Sequence, residues 1–145
     1  MTNIFVLVGL LVVNPAVAAE GPLLLDNFWI RESPPASQVL AGYGRIHNSS
    51  SNPYVLTGAT SETFNRIEIH RTTILADIVR MAPQHKILIK PGESLVFEPN
   101  SYHFMLLGPN SRLQAGDIVT LTLQFDNGVN QEVAMRVRSA SEIEE

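Results

Sequence analysis

The sequence predicts an all-β protein, a single-domain β-sandwich of about eight to ten short strands. Three observations carry this. Short apolar, β-branched runs recur along the chain with Gly, Pro, Asn and Ser turns between them. The clearest run, Ile118 to Phe125, alternates apolar and polar residues and leads into Asp126-Asn127-Gly128, a hairpin turn signal. The length of 145 residues gives room for one domain, and 45% apolar with 17% charged residues suits a globular chain.

In chain order, residues Met1 to Ala19 read as an export signal, with an apolar run from Ile4 to Val13, a breaking Pro15 and small residues for cleavage after Ala18 or Ala19. Met1-Thr2-Asn3 carries no Lys or Arg, so a retained anchor is the alternative. The domain proper is expected over 20–138. Strands are expected over Leu23–Arg31, Val39–Ile46, Tyr54–Thr60, Asn65–Thr72, Lys86–Ile89 and Ser94–Phe97, then around His103, and over Ile118–Phe125 and Val129–Val137. Ser33-Pro34-Pro35, the loop Asn48 to Pro53, Pro91-Gly92 and Pro99-Asn100 punctuate them. Thr73 to Arg80 fits a helical turn by spacing, but its β-branched flanks favour a hairpin turning at Leu75-Ala76. Residues 139–145 form an acidic tail, expected to be disordered.

The formal net charge of −4, with no Lys/Arg run, argues against nucleic acid and anionic membrane surfaces as partners. No stable membrane insertion is expected once the signal is cleaved. With no cysteine there are no disulfides, thiolate metal sites, cysteine nucleophiles or lipid-attachment cysteine. No G-x-S-x-G motif surrounds a serine, Gly42-Tyr43-Gly44 lacks the rest of a dinucleotide fingerprint, and no carboxylate–His cluster marks a zinc hydrolase. The chain therefore reads as a non-enzyme.

The chemistry concentrates between His70 and Met105. Two of the chain's four Met and three of its four His fall there, and four of these five are spaced His70-X10-Met81-X21-His103-X-Met105. Imidazole and thioether together suit a soft monovalent ion, Cu(I) above all. On a strand, side chains two apart share a face, so His103 and Met105 point one way and Tyr102, Phe104 and Leu106 the other. Ile67 and Ile69 turn inward and His70 outward. A hairpin turning at Leu75-Ala76 would set His70 opposite Met81. Taken singly, a Met in a strand is ordinarily core and a His near a strand end ordinarily a surface group.

That spacing resembles the signature of the periplasmic copper-chaperone family PCu(A)C, over about Leu25 to Val137. Phe28-Trp29-Ile30-Arg31 with Pro34-Pro35, Ala41-Gly42-Tyr43 with Asn48, Glu68-Ile69-His70, Pro91-Gly92-Glu93 and Gly116-Asp117 agree with it. The chain departs from the family at Arg71-Thr72-Thr73, where many members carry a further Met, and at Ala76-Asp77, where many carry Gly. The resemblance implies a cupredoxin-like, Greek-key sandwich in the periplasm. It also implies Cu(I) held by His70, Met81, His103 and Met105, and delivery toward the CuA subunit of cytochrome c oxidase with a Sco-type copper protein cooperating. Release would be by ligand exchange. The alternatives are envelope copper storage or resistance, and a metal-free structural or adhesive sandwich.

Other residues have weaker functional readings. Trp29 and Tyr43 could rim a site, though lone aromatics are usually core. His47 or His85 could bind a second metal, though solvated His is the commoner role. Glu68 could orient the His70 imidazole as an acceptor. Asn48-Ser49-Ser50 matches the glycosylation pattern, which is common by chance.

Overall fold

The computed structural model describes residues 21–144; the expected signal segment and its cleavage point lie outside them. Ten strands follow one another: β1 Leu23–Arg31, β2 Val39–Asn48, β3 Tyr54–Thr60, β4 Phe64–Leu75, β5 Ile78–Pro83, β6 Ile87–Ile89, β7 Ser94–Phe97, β8 Tyr102–Pro109, β9 Ile118–Phe125 and β10 Asn130–Arg138. A single helical turn, α1 Ala140–Ile143, closes the described chain. The tail expected to be disordered thus begins with a short helix. Glu142 reaches back to accept the Ser139 backbone N–H at 2.8 Å, a capping arrangement that the Ser-x-x-Glu spacing at 139–142 encodes.

The strands form one hydrogen-bonded sheet in the order β5-β4-β8-β7-β2-β1-β10-β9-β3-β6. Pairing is antiparallel except between β1 and β10 and at the short β7–β8 contact. On the edge away from β1, β2 serves two neighbours: Val39–Gly42 pairs with β8, and Gly44–His47 with β7. β3 and β4 stand near opposite ends of this order, yet they border one cavity, so the sheet folds over on itself. Its inner face closes on a single apolar core drawn from every strand but β5. Alternation explains the sorting, since one side of each strand must leave water. Along β8, Phe104 and Leu106 are fully buried, and Phe104 stacks on Phe97 with ring centroids 4.2 Å apart.

Two local devices hold the frame in register. Asn27, at φ 54°, marks a bulge where the β1–β2 register shifts, and the bulge sets the Phe28 ring over β2. Gly44 is required beneath it, because a Cβ there would meet that ring at 2.6 Å. Asn48 ties β2 to the β6–β7 turn. Its side-chain amide donates to the carbonyls of Asn52 at 2.7 Å and Ile89 at 3.0 Å, and its Oδ1 accepts from the backbone and hydroxyl of Ser50. Asn48 is completely buried, so the Asn-x-Ser pattern at 48–50 is structural and not available to a glycan.

The β4–β5 hairpin projects beyond the sandwich. β8 pairs with β4 only from Phe64 to Arg71, so the far end of β4 has β5 as its sole partner. β5 is an exposed edge, and Ile74, Leu75, Ile78 and Val79 at the tip are all solvent-facing. The turn is Ala76-Asp77, both left-handed at φ 48° and 62°, as a tight two-residue turn between twisted strands requires. No helix among the described residues is long and apolar enough to cross a membrane.

Candidate metal centre

The four sequence-predicted residues share one face of the β5-β4-β8 ribbon. His70 stands directly across from His103 in the β4–β8 ladder, and Glu68 across from Met105. Residues opposed across a ladder lie on the same face, as do residues two apart along a strand. His70, His103 and Met105 therefore point together, away from the core that Ile69, Phe104 and Leu106 fill.

Met81 joins them by a different register from the one expected. The turn at Ala76-Asp77 pairs Met81 with Thr72, and His70 with Pro83. The hairpin thus turns one residue later than the sequence reading placed it, and every pair moves by two. An even displacement preserves the face, so Met81 stays on the side of the histidines, one step nearer the hairpin tip.

Met81, His103 and Met105 line one groove of about 380 Å³, together with Thr72, Tyr43 and Arg31 among others. His70 is not part of that lining; its ring centroid is 5.9 Å from that of His103, and it lines a second cavity with Glu68. Burial is graded across the set. His103 is buried, His70 and Met105 are partly covered, and Met81 on the edge strand is 60% exposed.

The hydrogen bonds leave one nitrogen of each imidazole free. Nε2 of His70 lies 2.8 Å from Oε2 of Glu68. A carboxylate only accepts, so Nε2 carries the proton and the lone pair is on Nδ1. That Nδ1 is shielded from solvent and has no hydrogen-bond partner. Nδ1 of His103 is held by the Ser101 carbonyl at 3.1 Å, which leaves its Nε2 as the lone-pair nitrogen. Glu68 is itself steadied by Arg66, whose Nε donates to Oε1 at 2.8 Å. The hydrogen bond from His70 holds the Glu68 carboxyl below its ordinary range, with desolvation opposing this and Arg66 adding to it. The orienting role read for Glu68 from the sequence therefore has its geometry.

The remaining candidates fall elsewhere. Nδ1 of His47 is 2.8 Å from the Ser94 hydroxyl. His85 borders a cavity behind the hairpin that His70 and Glu68 also touch, but it is exposed and outside the groove. Among the described residues no three His, Cys, Asp or Glu side chains gather as a cation cage. Tyr43 does line the groove, with its ring 4.8 Å from Trp29. Burial pushes its phenol up, while Arg31 pulls it the other way. Arg31, Thr72 and the Ser101 carbonyl are parts of the site that the sequence reading missed. A backbone carbonyl leaves no signal in residue identity, and Arg31 comes in from β1, a strand not adjacent to β8.

This is the fold of the PCuAC domains, a cupredoxin-like sandwich. The copper-bound PCuAC domain of PmoF2 matches it with a TM-score of 0.69 at 20% identity, over 84% of this chain and 97% of that one. The copper(I) form of DR1885 from Deinococcus radiodurans matches with a TM-score of 0.58 at 26% identity, over 77% and 74%. The chain belongs to the LpqE-like family, described as putative lipoproteins, which matches residues 23–137. A putative lipoprotein of Leifsonia xyli subsp. xyli is 27% identical over 129 residues, 88% of this chain and 76% of that protein.

Proposed function

We propose that this protein is an exported Cu(I) chaperone that holds the ion with His70, Met81, His103 and Met105 and passes it on by ligand exchange. The observation that carries this is the orphaned Nδ1 of His70. A buried nitrogen without a hydrogen bond is costly unless it has another partner, and the His103 ring stands across from it, 5.9 Å between centroids, on the face of the ribbon that Met81 and Met105 share. Each ring is oriented by an acceptor on its other nitrogen, the arrangement that metal-bound histidines ordinarily have.

All four donors are neutral, and the thioethers are soft, so the set favours the cuprous over the cupric ion. Copper would be cargo here, and the chain a carrier without catalysis. Met81 supports release: it lies on an exposed edge strand, where an incoming ligand can displace one thioether while the buried side of the site stays in place. The relatives are described as putative lipoproteins, which agrees with export and a periplasmic setting. The acceptor we favour is the CuA subunit of cytochrome c oxidase, with a Sco-type protein cooperating. Titration with Cu(I) against a chromophoric competitor tests binding, and copper X-ray absorption tests the donor set. Two nitrogen and two sulfur neighbours are expected; an all-nitrogen-and-oxygen shell would refute the assignment. Transfer to an apo-CuA domain tests delivery against storage.

A further inference from the structure

The groove beside the four donors continues onto a surface that copper holding does not explain. Its far wall is Arg31, at the end of β1. In the parallel β1–β10 ladder the Cα partner of Arg31 is Arg138, so two like charges stand side by side. Like charges directly opposed in a sheet are unfavourable. The nearby acids do not resolve this. The Glu32 carboxylate accepts the Ala115 backbone N–H at 3.1 Å. Glu142 feels Arg138 at a distance but is bound to Arg136 at 3.3 Å and to Ser139. Among the described residues neither Arg31 nor Arg138 forms an ion pair. This local excess of positive charge sits on a chain whose formal net charge is −4.

Beside the two arginines lies an aromatic platform. The Arg138 guanidinium is over the Trp29 ring, 5.4 Å from its centroid, and Trp29 packs on Tyr43, which reaches the groove. On the opposite side Val79 and Met81 of the projecting hairpin supply an apolar wall. The face thus offers two unpaired guanidiniums, a flat aromatic surface and an apolar flank, all contiguous with the donor set.

We infer that this face docks the protein that exchanges copper with the chain, and that it recognises an acidic, methionine-bearing segment of that partner. The carboxylates pair with Arg31 and Arg138, and the thioether packs on Trp29 and the hairpin wall before it reaches the metal site. The partner's charge compensates the opposed arginines, so the docked state relieves a repulsion present in the free protein. The inference rests on the copper reading for what is exchanged.

Trp29 is the only tryptophan of the chain, so its emission reports directly on this face. The test uses the full chain without copper, which separates its outcome from that of the copper titration. The probes are a peptide of about ten residues alternating methionine and aspartate, and its counterpart with asparagine for every aspartate. Trp29 emission should respond to the aspartate peptide at a half-saturation at least about tenfold lower than to the asparagine one, as charge-assisted contacts imply. Added salt should shrink that difference. Arg31→Gln and Arg138→Gln should each reduce it, and together abolish it. No response, equal responses, or a preference that survives the double substitution overturns the inference. So does a response to vesicles of anionic phospholipid alone, which assigns the face to a lipid surface. A dimer in sedimentation that shields Trp29 also overturns it, in favour of a second copy.

Discussion

Glu68 Oε2 accepts a hydrogen bond from His70 Nε2 at 2.8 Å, two residues along the same strand. The pair decides which His70 nitrogen keeps its lone pair, and the same hydrogen bond, with Arg66 on the other carboxylate oxygen adding to it, lowers the Glu68 pKa. Glu68→Gln retains the size and can still accept a bond, but it loses the charge that fixes the ring. Cu(I) affinity should fall by about 10–100-fold, the usual effect of losing a residue that orients a metal ligand. Competitor titration of the variant against the parent protein measures this, with far-UV circular dichroism as the control for folding.

The two thioethers should separate binding from stability. Met81 is exposed on the edge strand, and Leu there should change stability by less than about 0.5 kcal/mol. Met105→Leu is half-buried and keeps similar volume, so it should cost less than about 1.5 kcal/mol. Each substitution should weaken Cu(I) binding by at least about tenfold, or about 1.4 kcal/mol. Urea unfolding and competitor titration, run side by side, read the two effects.

Gly44 tests the frame instead of the site. A methyl group there meets the Phe28 ring at 2.6 Å, against backbone held between β1 and β7. Gly44→Ala should destabilise by roughly 1–3 kcal/mol through overpacking. Phe28→Leu in the same background should recover part of the loss, because a smaller side chain vacates that space. Denaturant midpoints of the single and double variants form the cycle that shows the coupling.

The acid limb of stability should depend on Asp26. Both Nε and Nη2 of Arg45 bond its carboxylate, and that hydrogen bonding lowers its pKa, with desolvation opposing this and the charges of Arg45 and His47 adding to it. A carboxyl lowered by folding stabilises the protein above its unfolded pKa, about 3.9 for Asp, and loses that contribution as pH falls through the folded value. Melting temperatures of Asp26→Asn and parent should therefore differ at pH 7 and converge toward pH 3. A constant difference across that range would show that the ion pair contributes nothing that titrates.

Much of the fold was readable because strand alternation and turn chemistry are local. Tyr54–Thr60, Ser94–Phe97 and Ile118–Phe125 lie where their residue patterns put them. The misplacements occur where a partner strand overrides local pattern. β2 runs on to Asn48 because the buried amide of Asn48 is bonded across to β6, and β4 runs on to Leu75 because β5 returns along it. The tail departs from its acidic composition for a different reason: a single helical turn is stabilised by its cap, which the Ser139–Glu142 pair supplies.

Residue type and spacing alone picked out the four proposed donors and the face they share. Period-two alternation commits His103 and Met105 to one side and Phe104 and Leu106 to the other, and any two-residue slip in the hairpin leaves that assignment intact. Only the tertiary structure decided which residue faces which: His70 with His103, Met81 with Thr72, and Arg31 beside Arg138. Those pairings come from ladders between strands far apart in sequence, whose register depends on where each turn closes and how the shared core packs. The free nitrogens follow from the same cause, since a ring's protonated side is set by the neighbour that the fold supplies, Glu68 for His70 and the Ser101 carbonyl for His103.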